Sequence, residues 1–198
     1  MRIGIFGGTF DPVHHAHIII VEFVRLDQRL DKILLVPSLI SPHKQNEPVS
    51  DAADRLAMLQ EAVKSSKALE VSDIEIKRGG VSYTVDTVRA IAEEHPKDQL
   101  FVLIGSDNLA EFHTWRDPAE ILRMARLVAF RRPGYAEDHT GNPLLKDVIM
   151  CDVPGLNISS TQVRHRVAEG MSISLMVPEG VEKYILEHGL YKKKSEIV

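Results

Sequence analysis

The sequence predicts an α/β protein of one domain, an open and mostly parallel sheet with helices on both faces. Three observations carry that expectation. Short apolar runs alternate with helix-period segments along almost the whole chain. The runs at 2–7, 32–37 and 99–105 are continuously apolar, as buried strands are. The chain has 198 residues, which fits one domain against a norm of roughly 100–200.

Taken in order, Arg2 to Gly7 reads as a buried strand running into a Gly/Thr/Asp/Pro turn, and Ala16 to Leu26 as a helix with a broad apolar face. Lys32 to Pro37 is the second strand. After a Pro-rich loop at Ser38 to Pro48, Asp51 to Val63 carries Leu56, Leu59 and Val63 at helical spacing. Leu69 to Ile76 alternates apolar and polar residues and predicts a half-exposed strand. A Gly79-Gly80 turn leads to a helix from Thr84 to Glu94, stopped by Pro96. Gln99 to Gly105 is a strand ended by Gly-Ser-Asp. There follow a helix at Pro118 to Met124, strands at Leu127 to Phe130 and Val148 to Val153, and between these strands a surface excursion at Pro133 to Pro143. Helices at Ser160 to Glu169 and Pro178 to His188 close the chain, with Gly189 just past the last stop. The expected domain is 1–191, and 192–198 a charged, solvated tail. Ligands of such sheets bind outside the carboxyl ends of the strands, so chemistry is expected in the loops after Gly7, Pro37, Gly105 and Val153.

Composition narrows the function classes. Hydrophobic residues at 44% and charged residues at 26% are ordinary for a globular protein and argue against disordered or fibrous chains. The single cysteine, Cys151, rules out a disulfide within the chain and a Cys-rich zinc site. The opening MRIGIFGGTF lacks a basic region, an apolar stretch and a cleavage site, and no apolar run approaches the roughly 18 residues of a membrane span. A cytoplasmic protein without a membrane partner is expected. A net charge of −4 disfavours a nucleic-acid coat protein, which needs a basic face. Small anions remain candidate partners, held by local charge.

The first strand runs into Gly7-Gly8-Thr9-Phe10-Asp11-Pro12-Val13-His14-His15-Ala16-His17. This is neither GxGxxG nor GxxxxGK[ST]. The physics of a phosphate cradle survives: two glycines let backbone N–H groups approach an anion, and the following helix presents its positive end. Three of the nine histidines fall between 14 and 17, and His14 and His17 share one face of the first turn. Single histidines there cap helices or lie exposed. An i, i+3 pair can also bind metal, but the carboxylate and third His of such a site are missing locally. Phosphate contact is the remaining expectation, with imidazole N–H groups donating to charge that grows in a transition state. Further on, Ser159-Ser160-Thr161-Gln162-Val163-Arg164 combines capping hydroxyls with an Arg one turn into the helix. Pro42-His43-Lys44 offers a flexible cation after the second strand.

These residues carry a resemblance. Gly7 to His17 resembles the GxFxPxHxGH motif, and Ile158 to Arg164 the ISSTxxR motif, of the HxGH nucleotidyltransferase superfamily, whose Rossmann-like fold is the one the alternation predicts. Ser82-Tyr83-Thr84-Val85-Asp86-Thr87, Gly105-Ser106-Asp107, Trp115 and Arg132-Pro133-Gly134 resemble, in order and spacing, the bacterial nicotinate-nucleotide adenylyltransferases. The resemblance implies transfer of AMP from ATP to nicotinate mononucleotide, with Mg2+ on the phosphates, giving nicotinate adenine dinucleotide and pyrophosphate in NAD biosynthesis. It implies that Gly7, Gly8, Thr9, Phe10, Ile158, Ser160 and Thr161 surround ATP together with the catalytic residues His14, His17, Lys44 and Arg164. Gly105 and Asp107 would hold the adenosine ribose, and Tyr83, Thr84 and Trp115 the pyridine. Ala16 stands where the motif has Gly, adding a methyl expected close to the nucleotide. Nicotinamide-mononucleotide and phosphopantetheine adenylyltransferases share the two end motifs. A non-catalytic nucleotide- or metal-binding protein is the alternative from another class.

Overall fold

The computed structural model describes residues 1–42, 48–131 and 143–193. Six strands form one sheet: β1 (Arg2–Gly8), β2 (Lys32–Pro37), β3 (Leu69–Val71), β4 (Gln99–Gly105), β5 (Ala125–Phe130) and β6 (Ile149–Cys151). Their order is β3-β2-β1-β4-β5-β6, and every neighbouring pair is parallel. Parallel neighbours need crossovers, and the helices that supply them are α1 (His15–Asp27), α2 (Ala52–Val63), α3 (Ile74–Arg78), α4 (Thr84–Glu94), α5 (Ser106–Ala110) and α6 (Pro118–Met124), with α7 (Ser160–Ala168) and α8 (Glu179–Glu187) after the last strand.

The continuous apolar strands are explained by burial on both faces. Phe6, Leu35, Phe101, Leu103 and Phe130 pack with Ile20 and Val24 of α1, Met58 and Leu59 of α2, Val163 of α7 and Ile185 of α8. Their sequence neighbours Ile5, Leu34, Val102 and Ile104 point the opposite way, onto Val88 and Ile91 of α4, Leu109 and Ile121. The one-domain sheet covered on both faces is thus as predicted, and wholly parallel among the described strands.

The stretch Leu69 to Ile76 is a correction. The strand ends at Val71 and the chain turns into α3 from Ile74. Alternation there is incidental, because Ser72-Asp73 starts a helix and Asp73 pairs with Lys77 at 3.0 Å. The residue this exchange buries is Glu75. The short helix α5 also lies where a turn was expected. Of the tail, Lys193 reaches Glu169 at 2.7 Å. The excursion at 133–143 lies outside the described residues up to Pro143. Cys151 is buried, and burial, helped by the hydrogen bond from its thiol to Asp27, pushes that thiol up to about 12. No helix among the described residues is long and apolar enough to cross a membrane.

Candidate active site

The chain leaves β1 toward β2 on one side and β4 toward β5 on the other, so the sheet's switch point falls between the ends of β1 and β4. A cavity of about 390 Å³ opens there, a size suited to a small-molecule ligand. Of the residues singled out in the sequence, Gly7, Gly8, Thr9, Phe10, His17, Tyr83, Thr84, Gly105 and Trp115 line it. His14, Asp107, Ile158, Ser160, Thr161 and Arg164 do not line it. Lys44 and Arg132-Pro133-Gly134 lie outside the described residues.

The two glycines have different reasons. A Cβ on Gly7 would meet nothing within 4 Å, so its missing side chain leaves open space in the cavity. A Cβ on Gly8 would come within 3.0 Å of the Phe10 ring. Phe10 has a φ of 51°, a conformation costly for a bulky L-residue. Its ring is buried and meets His17 edge-on at 5.2 Å and Phe6 at 5.7 Å. It holds the floor of the loop and backs the histidine.

His14 is the N-cap residue of α1, buried, with its ring stacked 3.7 Å from that of His17. The His14 backbone N–H donates to His17 Nδ1 at 3.3 Å. In its neutral form His17 therefore carries its proton on Nε2, and this ring lines the cavity as a donor. Ala16, expected near the ligand, is buried in the core instead. Its extra methyl faces away from the cavity, among whose lining residues it does not appear.

The loop is held from three distant parts of the chain. Ser160 Oγ donates to the Pro12 carbonyl at 2.8 Å and Arg164 Nη1 to the Asp11 carbonyl at 2.7 Å, while Ser159 caps α7 reciprocally with Gln162. The Tyr191 hydroxyl donates to Asp11 Oδ1 at 2.6 Å, and the Ser50 N–H to Oδ2 at 3.2 Å. Burial, followed by the charge of Asp11, drives the Tyr191 phenol well above its usual range. Arg55 of α2 is 2% exposed and donates to the carbonyls of Thr9 (2.9 Å), Ser38 (2.6 Å) and Ser50 (3.0 Å). Burial lowers its affinity for its proton, against the pull of the Asp11 carboxylate. Sequence reasoning missed Arg55, Asp11 and Tyr191, because a helical arginine that serves backbone carbonyls has no motif.

At the other end, Trp115 packs on Phe112 at 5.3 Å and also faces the cavity, with its Nε1 buried and without a hydrogen-bond partner among the described residues. Arg116 lies over the Tyr83 ring at 4.8 Å. Gly105 is the N-cap residue of α5, which puts Asp107 in the first turn of that helix. Asn108 and Glu75 line the cavity too and were not anticipated.

A parallel sheet with its cavity at the switch point, a Gly-Gly loop and a His pair at a helix start define a nucleotide-handling enzyme. The chain belongs to the cytidylyltransferase-like family, whose model matches residues 5–166, and within it to the nicotinate-nucleotide adenylyltransferases. It is 39% identical over 198 residues to a protein of Desulfitobacterium hafniense named "Probable nicotinate-nucleotide adenylyltransferase", covering 96% of both chains. A protein of the same name from Halalkalibacterium halodurans is 40% identical over 192 residues, covering 96% of this chain and 91% of that one. The fold is similar to that of Plasmodium falciparum nicotinic acid mononucleotide adenylyltransferase complexed with NaAD, with a TM-score of 0.79, 20% identity and coverage of 96% and 97%.

Proposed function

We propose that the chain transfers AMP from ATP to nicotinate mononucleotide: a phosphate oxygen of the mononucleotide attacks the α-phosphorus, that P–O bond forms as the α–β bridge breaks, and pyrophosphate leaves with the bridging electrons. The observation that supports it best is one cavity lined both by Gly7, Gly8 and His17 and by Tyr83, Thr84 and Trp115. The former group suits phosphate and the latter a planar pyridine.

The chemistry asks little of the protein beyond placement. A phosphate monoester has its second pKa near 6, so the nucleophile is largely dianionic at neutral pH and needs no general base. Catalysis then reduces to alignment and charge stabilisation. In this reading the N–H groups of Gly7 to Phe10 and the His17 Nε2–H meet the α-phosphate, and His14 fixes the His17 ring. Ser160, Thr161, Ile158 and Arg164 close the loop from α7, Lys44 neutralises the leaving phosphates, and Gly105 and Asp107 hold the ribose. Trp115 stacks on the pyridine while Tyr83 and Thr84 bound its acidic end.

Among the described residues no group of three or more His, Cys, Asp or Glu side chains could hold a metal ion. The donors at the loop are N–H groups and hydroxyls, which suit phosphate oxygens, so Mg2+ would be bound mainly through ATP itself. Its contribution there is neutralisation of the phosphate charge. The test is pyrophosphate release with ATP, Mg2+ and, separately, nicotinate mononucleotide, nicotinamide mononucleotide and phosphopantetheine. Turnover at least tenfold faster with the first is expected, and preference for another would overturn the assignment.

A further inference from the structure

We propose that Glu75 is a positioning residue for the pyridine end of the cavity, fixing the start of α4 through the buried Thr87 hydroxyl and so setting affinity for the mononucleotide; this rests on the function proposed above. Glu75, Ser82 and Thr87 are 6%, 7% and 2% exposed, and all three line the cavity.

Glu75 and Thr87 are joined directly. Thr87 Oγ1 donates to Glu75 Oε1 at 2.5 Å and accepts from both terminal nitrogens of Arg78 at 3.2 Å. Thr87 Oγ1 is also 3.3 Å from the Tyr83 carbonyl, but it has a single proton and the carboxylate is nearer. The buried Ser82 hydroxyl helps hold the Glu75 pKa down against burial, and its oxygen accepts the Leu39 N–H at 2.9 Å. Ser82 immediately precedes Tyr83-Thr84 and Thr87 follows one turn later, so Glu75 pins the first turn of α4 through Thr87 while Ser82 holds the residue before it. The same serine joins it to the loop after β2, where the Ser82 N–H donates to the Ile40 carbonyl at 2.9 Å.

A carboxylate suits this position because both oxygens accept and neither must donate. Glutamine would offer one acceptor and an NH2 group beside a Thr87 hydroxyl that already donates. Burial raises the Glu75 pKa, with the hydroxyls and Arg78 opposing that shift. The fold alone does not require a charge there, since apolar side chains in place of the whole Glu75-Thr87-Arg78 group would fill the space without the desolvation cost.

The experiment compares the full-length wild type with Glu75→Gln and Thr87→Val, varying ATP and nicotinate mononucleotide separately. In both variants the KM for the mononucleotide is expected to rise about tenfold or more while that for ATP stays within about twofold, as befits a few buried polar bonds lost at one end of the site. Unchanged KM values, or values that rise together, would overturn the inference. Should Glu75→Gln fail to fold, Thr87→Val gives the same split or its refutation alone. A wild type inactive on the mononucleotide would instead defeat the functional reading and the inference with it, a result distinct from an active wild type whose variants show no split.

Discussion

The loop after β1 and the segment after β4 bound one cavity but are held by opposite means. The first is tied by directional bonds from α2, α7 and Tyr191, all far along the chain. The second is held by packing, with Leu109 and Phe112 fully buried beneath Trp115. Its hydrogen bonds among the described residues include local ones, such as the Thr114 hydroxyl to the Glu111 carbonyl at 2.7 Å. Stabilising a phosphate in transit needs donors that do not reorganise, which directional bonds supply. A planar ring needs only a flat apolar surface, which packing supplies and which tolerates small shifts.

Arg55→Met tests the first half most severely. It leaves the carbonyls of Thr9, Ser38 and Ser50 without their buried donor, and loss of about 3–5 kcal/mol is expected in urea unfolding, as when one member of a buried charged network is removed. A loss below ~1 kcal/mol would mean that the Arg55 bonds do not hold this loop, and that part of the contrast would fall.

Next in size is His17→Ala. The ring is backed by Phe10, and its neutral tautomer is set by the His14 N–H. Removing a transition-state donor costs ~3 kcal/mol, about a hundredfold in kcat. Single-turnover rates with ATP and nicotinate mononucleotide would read it, with the circular dichroism spectrum as the control for folding. An unchanged rate would return His17 to a purely structural part, as a brace between Phe10 and His14.

The same contrast explains which features are legible in the sequence. Strands buried on both faces announce themselves as apolar runs, and Gly7-Gly8 with His14 and His17 form a local pattern, so the sheet, its switch point and the phosphate end were legible. Glu75 was not, because an acid in an alternating stretch reads as solvent-facing until the chain turns into α3. Arg55 and Tyr191 were hidden for another reason: their partners are backbone carbonyls and an aspartate 180 positions away, and sequence patterns carry no trace of such contacts. The motif residues Ser160 and Arg164 were visible by type, but their bonds to the Pro12 and Asp11 carbonyls became apparent only in three dimensions.

Trp115→Ala is the smaller and sharper test of the second half. As the chain's only tryptophan, Trp115 reports its own site by emission without ambiguity. Anchoring the core and offering a stacking surface are compatible for this ring, because the side chain packs on Phe112 while bordering the cavity. Stacking together with cation–π attraction to a pyridinium contributes ~1–2 kcal/mol when water is excluded. Titrating the wild type with nicotinate mononucleotide should therefore change the emission saturably, and the Ala variant should bind that substrate about tenfold more weakly while ATP affinity holds. The separation of the two substrates matters more than the size of the change, because loss of a core anchor would loosen the cavity for both. Silent emission in the wild type, with an Ala variant that is less stable yet binds normally, would assign the ring to the core and leave the pyridine end without its flat wall.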